Sequence, residues 1–289
     1  MRLGLGSYAF RWSIGTPAFR PDSPATLADV LDETAKLGCS LLQIADSVEL
    51  EAMSISEMRE FRAHAEDLGV RLQTGTAGLT NERMLRYLAI TRFLGGSLVR
   101  LVLDSDDARP GRVGAATILR SLAGRFEDEG VVIAIENHFL IPSPELVEII
   151  ENVASPALGV CLDTANSVMI GEWPRATIEL LSPFALCMHL KDYAVVPDEN
   201  GVGGHVVGKP LGEGSLDIQG ALAAVRPADE RLHGELAVVL EQWLPLHEDP
   251  KTTVEEERRW RELNVARAED YLVAARGVAG PDDERRTLL

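Results

Sequence analysis

Eight short apolar runs, each followed by a stretch of helical periodicity, set the strongest constraint on what this chain can fold into. The runs begin near Leu3, Leu41, Val70, Leu98, Val132, Leu158, Ala185 and Leu236. The later ones, such as "VVIAIEN" and "LGVCLDT", are continuously apolar, the pattern of strands buried on both faces in a parallel sheet covered by helices. Helical stripes lie between the runs at Met58, Phe61, Ala65 and Leu68, at Leu146, Ile149, Ile150 and Val153, and at Ile218, Ala221, Leu222 and Val225. Spacings of three and four place each set on one helix face. Ser56, Ser143 and Ser215 are expected to open helices, and Gly38, Gly69 and Gly130 to close them.

Consecutive parallel strands joined by right-handed crossovers leave two architectures, an open doubly wound sheet and a closed barrel. Eight βα units favour closure. The first strand is not followed by a G-x-G-x-x-G turn, and no G-x-x-x-x-G-K-[ST] loop occurs, which removes the main support for a nucleotide-binding sheet. The expectation is an α/β chain forming one (β/α)8 TIM barrel over residues 1–278, with 279–289 a C-terminal tail that frays or makes an oligomer contact.

A net charge of −17 without any basic stretch excludes a nucleic-acid surface, because phosphate binding needs clustered Lys and Arg. No apolar run approaches the roughly 20 residues that span a bilayer, and the first ten residues lack a signal-peptide core, so a cytoplasmic location is expected. Three cysteines without C-x-x-C spacing suit buried thiols in a reducing compartment.

The chemistry sits at the ends of four runs. Glu136, Asp163, His189 and Glu241 terminate "VVIAIEN", "LGVCLDT", "FALCMHL" and "ELAVVLEQ", which places all four at the mouth where a barrel carries its active site. Two residues before each stands an apolar residue of the same strand parity: Ala134, Cys161, Cys187 and Val239. That is the pattern of a filled interior beneath a polar mouth. Three carboxylates and one imidazole form an oxygen-rich donor set suited to a divalent metal, Mn²⁺ first, with Mg²⁺ or Co²⁺ as alternatives. Such an ion would polarise a sugar carbonyl and stabilise an enediolate.

"IENH", "CLDTAN", "MHLKD", "GKPLGEGSLD" and "LEQW", in that order, resemble the xylose isomerase-like TIM barrels, the superfamily of sugar isomerases, epimerases and inosose dehydratases. The resemblance covers nearly the whole chain. It implies that Glu136, Asp163, His189 and Glu241 are the metal ligands and that Glu136 and Glu241 double as acid and base on opposite sides of the substrate.

Around this set, spacing nominates His138, Asn166 and Lys191 for substrate contacts, with His138 and Lys191 also candidates for catalysis. Gln43, Asp46 and Arg100 are expected to line the pocket, and Phe10 and Trp12 to form an apolar wall. The glycine-rich segment between Lys191 and Ser215 reads as a lid from which His205 and Lys209 descend onto substrate. Its "GEGSLD" string has the composition of a phosphate cradle, but Glu213 and Asp217 would repel an anion, so an unphosphorylated substrate is expected.

The expected function is a metal-dependent isomerase or epimerase acting on a keto-sugar or polyol derivative through an enediolate. The alternative is a lyase of the same superfamily, either a dehydratase of a keto-cyclitol or keto-sugar or a decarboxylase of a 3-keto sugar acid. The resemblance tempers simple ketose epimerisation, because those epimerases carry His three residues after the Asp ligand and Arg six after the His ligand. Here Asn166 and Val195 stand at those positions. A zinc-cluster endonuclease of the same barrel needs a cluster of His and Asp ligands for three zinc ions, and this chain has only six histidines. A non-catalytic sugar-binding barrel would not maintain four costly converging polar groups. Homo-oligomerisation and a small carbohydrate-derived ligand complete the expectation.

Overall fold

The eight apolar runs pair edge to edge, all in parallel, in a computed structural model that describes residues 1–277. The first seven are β1 (Arg2–Gly6), β2 (Leu41–Ala45), β3 (Arg71–Ala77), β4 (Leu98–Val102), β5 (Val132–Glu136), β6 (Leu158–Asp163) and β7 (Ala185–Leu190). A hairpin of β8 (Asp192–Pro197) and β9 (Gly204–Lys209) follows, and β10 (Ala237–Leu240) completes the ring. The order β1-β10-β7-β6-β5-β4-β3-β2 closes on itself, so the chain is a single-domain (β/α)8 TIM barrel as expected. The tail expected at 279–289 lies outside the described residues. No helix among the described residues is long and apolar enough to cross a membrane.

Two separate cores follow from the two faces of each strand. Leu42, Ile44, Leu101, Ile133, Ile135, Val160, Leu162, Met188, Val238 and Leu240 point outward into the layer shared with the helices. Leu41, Leu98, Ala134, Cys161, Cys187, Ala237 and Val239 pack against one another inside the ring. The parity expected for Ala134, Cys161, Cys187 and Val239 is therefore the observed one. Gly38, Gly69 and Gly130 follow helices with φ of +78°, +69° and +63°, the left-handed stop that glycine adopts without strain.

The helix openings differ from expectation. Helix Ile55–Asp67 is capped by Ser54, which forms a reciprocal capping box with Glu57, and the side chain of Ser56 bonds Glu60 instead. Three-residue spacing to a glutamate, which Ser54 has and Ser56 lacks, decides the cap. Ser143 is the first helical residue after Pro142, and its N–H and hydroxyl donate to Glu172. Helix Ile218–Ala224 is capped by Asp217, which accepts from the Gly220 N–H, with Ser215 upstream of the cap.

The segment expected as an irregular lid is the β8–β9 hairpin, whose β-branched stretches pair antiparallel from Asp192↔Lys209 to Pro197↔Gly204. The phosphate-cradle string beyond it is already filled. Backbone N–H groups of Gly212, Gly214 and Leu216 donate to the Asp192 carboxylate at 2.9, 2.9 and 3.0 Å, and Tyr193 N–H adds a fourth bond at 2.8 Å. Amides of alternate residues in the loop thus bind the chain's own carboxylate. A Cβ on Gly214 would lie 2.2 Å from Asp192 Oδ1, so only glycine permits this approach. Removing the carboxylate in Asp192→Ala strands one buried and three part-buried N–H groups, and we expect denaturant unfolding to report a loss of about 1–3 kcal/mol.

Candidate functional site

The interior alternation that stacks Ala134, Cys161, Cys187 and Val239 continues two residues further to Glu136, Asp163, His189 and Glu241, all buried at the C-terminal end of the barrel. Strand register brings them level: Asp163 pairs with His189, and Glu136 pairs with Cys161. His189 Nδ1 lies 3.3 Å from Glu241 Oε1, 3.6 Å from Glu136 Oε2 and 3.8 Å from Asp163 Oδ2. Asp163, His189 and Glu241 each offer a donor atom within 4.8 Å of the others, and so do Glu136, Cys161 and His189. β1 makes room by presenting glycine. A Cβ on Gly6 would sit 3.2 Å from both Glu241 Cγ and Val239 Cγ1.

The residue that follows each of three of these acids is a fastener. Asn137 donates its amide to the Asp163 carbonyl at 2.9 Å and accepts from the Asp163 N–H at 2.7 Å. Thr164 donates to the Lys191 carbonyl at 2.8 Å and accepts from the Lys191 N–H at 3.1 Å. Gln242 donates to the carbonyls of Ala9 and Glu257. Asp163 Oδ1 accepts from the N–H groups of Ala165 and Asn166, which leaves Oδ2 for the centre. Side chains so held lose little freedom when they meet a ligand.

His189 is oriented from below. Gln43 Nε2 donates to Gln73 Oε1 at 3.0 Å, which turns Gln43 Oε1 toward the ring, and His189 Nε2–H donates to it at 2.6 Å. Gln43, expected at the substrate, is only 1% exposed and is instead a support for the imidazole. His189 Nδ1 therefore faces three carboxylates with no hydrogen-bond partner. A lone pair in that position is repelled unless a cation shares the space, either a proton or a metal. Burial opposes charging the ring, but Cys161, Glu241 and Glu136 outweigh it and hold the imidazole pKa well above its usual value.

Two permanent cations meet four carboxylates here. Arg100 donates from Nε to Glu136 and from Nη1 to Asp46 at 3.0 Å. Lys191 Nζ lies 2.7 Å from Asp163 Oδ2 and 2.9 Å from Glu241 Oε2. Glu136 Oε1 accepts from Asn166 Nδ2 at 2.7 Å. Burial disfavours the Glu136 anion, yet Arg100, His189 and Lys191 outweigh that and hold its pKa well below the ordinary range. Glu241 is lowered by His189 and Lys191 against burial, while burial and its two acidic neighbours raise Asp163 despite Lys191. With a neutral imidazole the cluster carries two uncompensated negative charges. That charge, the orphaned Nδ1 and the oxygen-rich donors fit a divalent metal.

Above the cluster opens a cleft of about 610 Å³. His138, Asn166, Lys191, Glu136, Glu241, Arg100 and Trp12 line it. Burial pushes the His138 pKa down, which favours the neutral ring, and that ring lies tilted against Phe139 with centroids 4.0 Å apart. Phe10 is buried away from the cleft under the Arg261 guanidinium. The hairpin reaches the cleft through Val206, Val207 and Gly208, whereas His205 is exposed and paired with Asp198 and Lys209 does not line it. Val195 is 61% exposed on the hairpin. Strand parity missed Tyr8, Arg11, Phe139, Met169, Trp243 and Glu257, because loop and helix residues reach the cleft through tertiary placement alone. Asp46 has φ of +52°, a strained backbone that aims its carboxylate at Arg100 and the Tyr8 hydroxyl.

Residues 31–263 match the family model of the xylose isomerase-like TIM barrels. The chain is 32% identical over 260 residues to the 3-oxo-isoapionate decarboxylase of Pectobacterium atrosepticum, covering 90% of this chain and 92% of that protein. The barrel superposes on D-psicose 3-epimerase, crystallised in the presence of D-fructose, with a TM-score of 0.68, 16% identity and coverage of 95% and 100%. It also superposes on a xylose isomerase-like TIM barrel protein of Mycobacterium smegmatis in complex with magnesium, at TM-score 0.62, 18% identity and coverage of 92% and 97%. The chain belongs to the xylose isomerase-like TIM barrel family.

Proposed function

We propose that this protein is a divalent-metal-dependent decarboxylase of a 3-oxo sugar acid. The observation that carries this reading over epimerisation is the state of Glu136. Epimerisation through an enediolate needs a carboxylate free to take a proton from carbon. Both Glu136 oxygens are engaged, one by Arg100 and one by Asn166, and its pKa is held low, so it is a weak base. Decarboxylation of a 3-oxo acid removes no C–H proton. Likeness to a 3-oxo-isoapionate decarboxylase over nine-tenths of the chain supports the same reading.

Glu136, Asp163, His189 and Glu241 would hold the metal. Bound there, a divalent ion supplies Lewis acidity that stabilises negative charge developing on the 3-keto oxygen. Arg11 lines the outer cleft beside the rings of Tyr8 and Trp12, 5.3 and 5.8 Å from their centroids, and is suited to the substrate carboxylate. Phe139, Met169 and Trp243 give the cleft an apolar lining. As the bond between C1 and C2 breaks, its electron pair passes to the C2–C3 enolate and CO₂ leaves. C2 then takes a proton, for which the Lys191 ammonium at the cleft floor becomes a usable acid once it leaves Asp163 and Glu241, whose charges outweigh burial and hold its pKa up. The lysine is reprotonated from water, so the net change is loss of CO₂ and gain of one proton.

Protein purified without chelator should carry about one divalent ion per chain, reduced in Asp163→Ala and His189→Ala, as read by elemental analysis. Because His189 holds a proton when no metal is bound and must lose it to bind one, Mn²⁺ affinity should rise with pH. Calorimetry in buffers of different ionisation enthalpy should find about one proton released per ion; uptake or no change would count against the assignment. For the reaction, Mn²⁺-loaded enzyme given 3-oxo sugar acids in D₂O should release CO₂ and leave deuterium on the former C2. An isomer that keeps its carboxylate and gains solvent deuterium would instead make the enzyme an isomerase.

A further inference from the structure

Lys191 stands where the site needs a cation. It follows His189 by two residues, so strand parity carries its side chain inward, and it is 4% exposed. Its ammonium meets Asp163 Oδ2 and Glu241 Oε2 at 2.7 and 2.9 Å. Asp163 has no other oxygen to offer, since Oδ1 is bound by two backbone N–H groups. The contact to Oδ2 is an ion pair without the direction of a hydrogen bond, and the same oxygen faces His189 Nδ1 at 3.8 Å. An ammonium and a divalent ion placed on one carboxylate oxygen repel each other strongly in a buried setting.

A second resting place lies within reach. Lys191 Nζ is 5.0 Å from the centroid of the Trp243 ring, and both residues line the cleft. A four-carbon stem can swing the charge from the carboxylates to the indole face, where a cation is still attracted.

We infer that Lys191 is the resident counter-ion of the metal cage, displaced by the metal from Asp163 and Glu241 toward Trp243. This inference rests on the metal site of the proposed function. Without metal, the lysine neutralises carboxylates that would otherwise repel one another. With metal, the same ammonium is delivered to the cleft. Metal occupancy and the supply of a proton donor are then one equilibrium.

The test needs no substrate. Lys191→Met and Lys191→Gln are purified with Mn²⁺, stripped with chelator, and titrated with Mn²⁺ by calorimetry beside the wild type. Removal of the competing cation should tighten Mn²⁺ binding on the order of tenfold or more. It should also lower the melting temperature of the metal-free protein while enlarging the rise on adding Mn²⁺. Equal or weaker affinity in both variants would overturn the role of Lys191 while leaving the metal site standing. Absence of Mn²⁺ binding in all three proteins would overturn both. Should the stripped variants not fold, a crystal structure of the Mn²⁺-loaded wild type decides. Nζ moved away from Asp163 Oδ2 supports the exchange, and Nζ still on that oxygen refutes it.

Discussion

The structure of this site depends on one electrostatic requirement, a cation in the space that His189 Nδ1 shares with three buried carboxylates. Buried anions without compensation are expensive, and the barrel gathers three of them within about one ion's reach. Arg100 and Lys191 cover part of that charge from two sides. The remainder calls for a proton on the imidazole or a metal among the four side chains. The rigid features nearby hold the strand ends and side chains in this conflict: the bonds of Asn137 and Thr164 across strand ends, the two N–H groups on Asp163 Oδ1, and the Gln73–Gln43–His189 chain beneath.

Arg100 and Asn166 give the same scaffold a particular chemical bias. By occupying both oxygens of Glu136 they hold it as an anion, good for charge neutralisation and poor for taking a proton. Arg100 is in turn aimed by Asp46, whose left-handed backbone is a local strain accepted in return for that direction. The hairpin adds to the cleft an apolar rim of Val206 and Val207, and it is anchored at its base by Asp192 inside its own amide nest. The amides of the loop are thereby spent on architecture.

Much of this was legible before folding. The runs beginning at Leu3 through Leu236 become the eight barrel strands to within a residue, because continuous apolar stretches between helical stripes have few other places to go. The four strand-end side chains converge because strand parity is strictly two, and Ala134, Cys161, Cys187 and Val239 register the same period one layer down. Gln43 obeys the same parity and lies inside the barrel, but beneath His189, because parity says nothing of height along the axis. His205 and Lys209 stand outside the cleft because "GHVVGK" pairs as a strand, from which Val206, Val207 and Gly208 reach it.

The sequence by itself determined which residues face the axis and that four of them are polar at its C-terminal end, since periodicity and apolar content are local properties of the chain. Only the tertiary structure decided how their charges are shared. That Arg100 clamps Glu136, that Lys191 bridges Asp163 and Glu241, and that Arg11, Phe139 and Trp243 meet over one cleft depend on distances between strands and loops far apart in the chain. Coulomb energy varies with those distances and with burial, and neither is written in the order of residues.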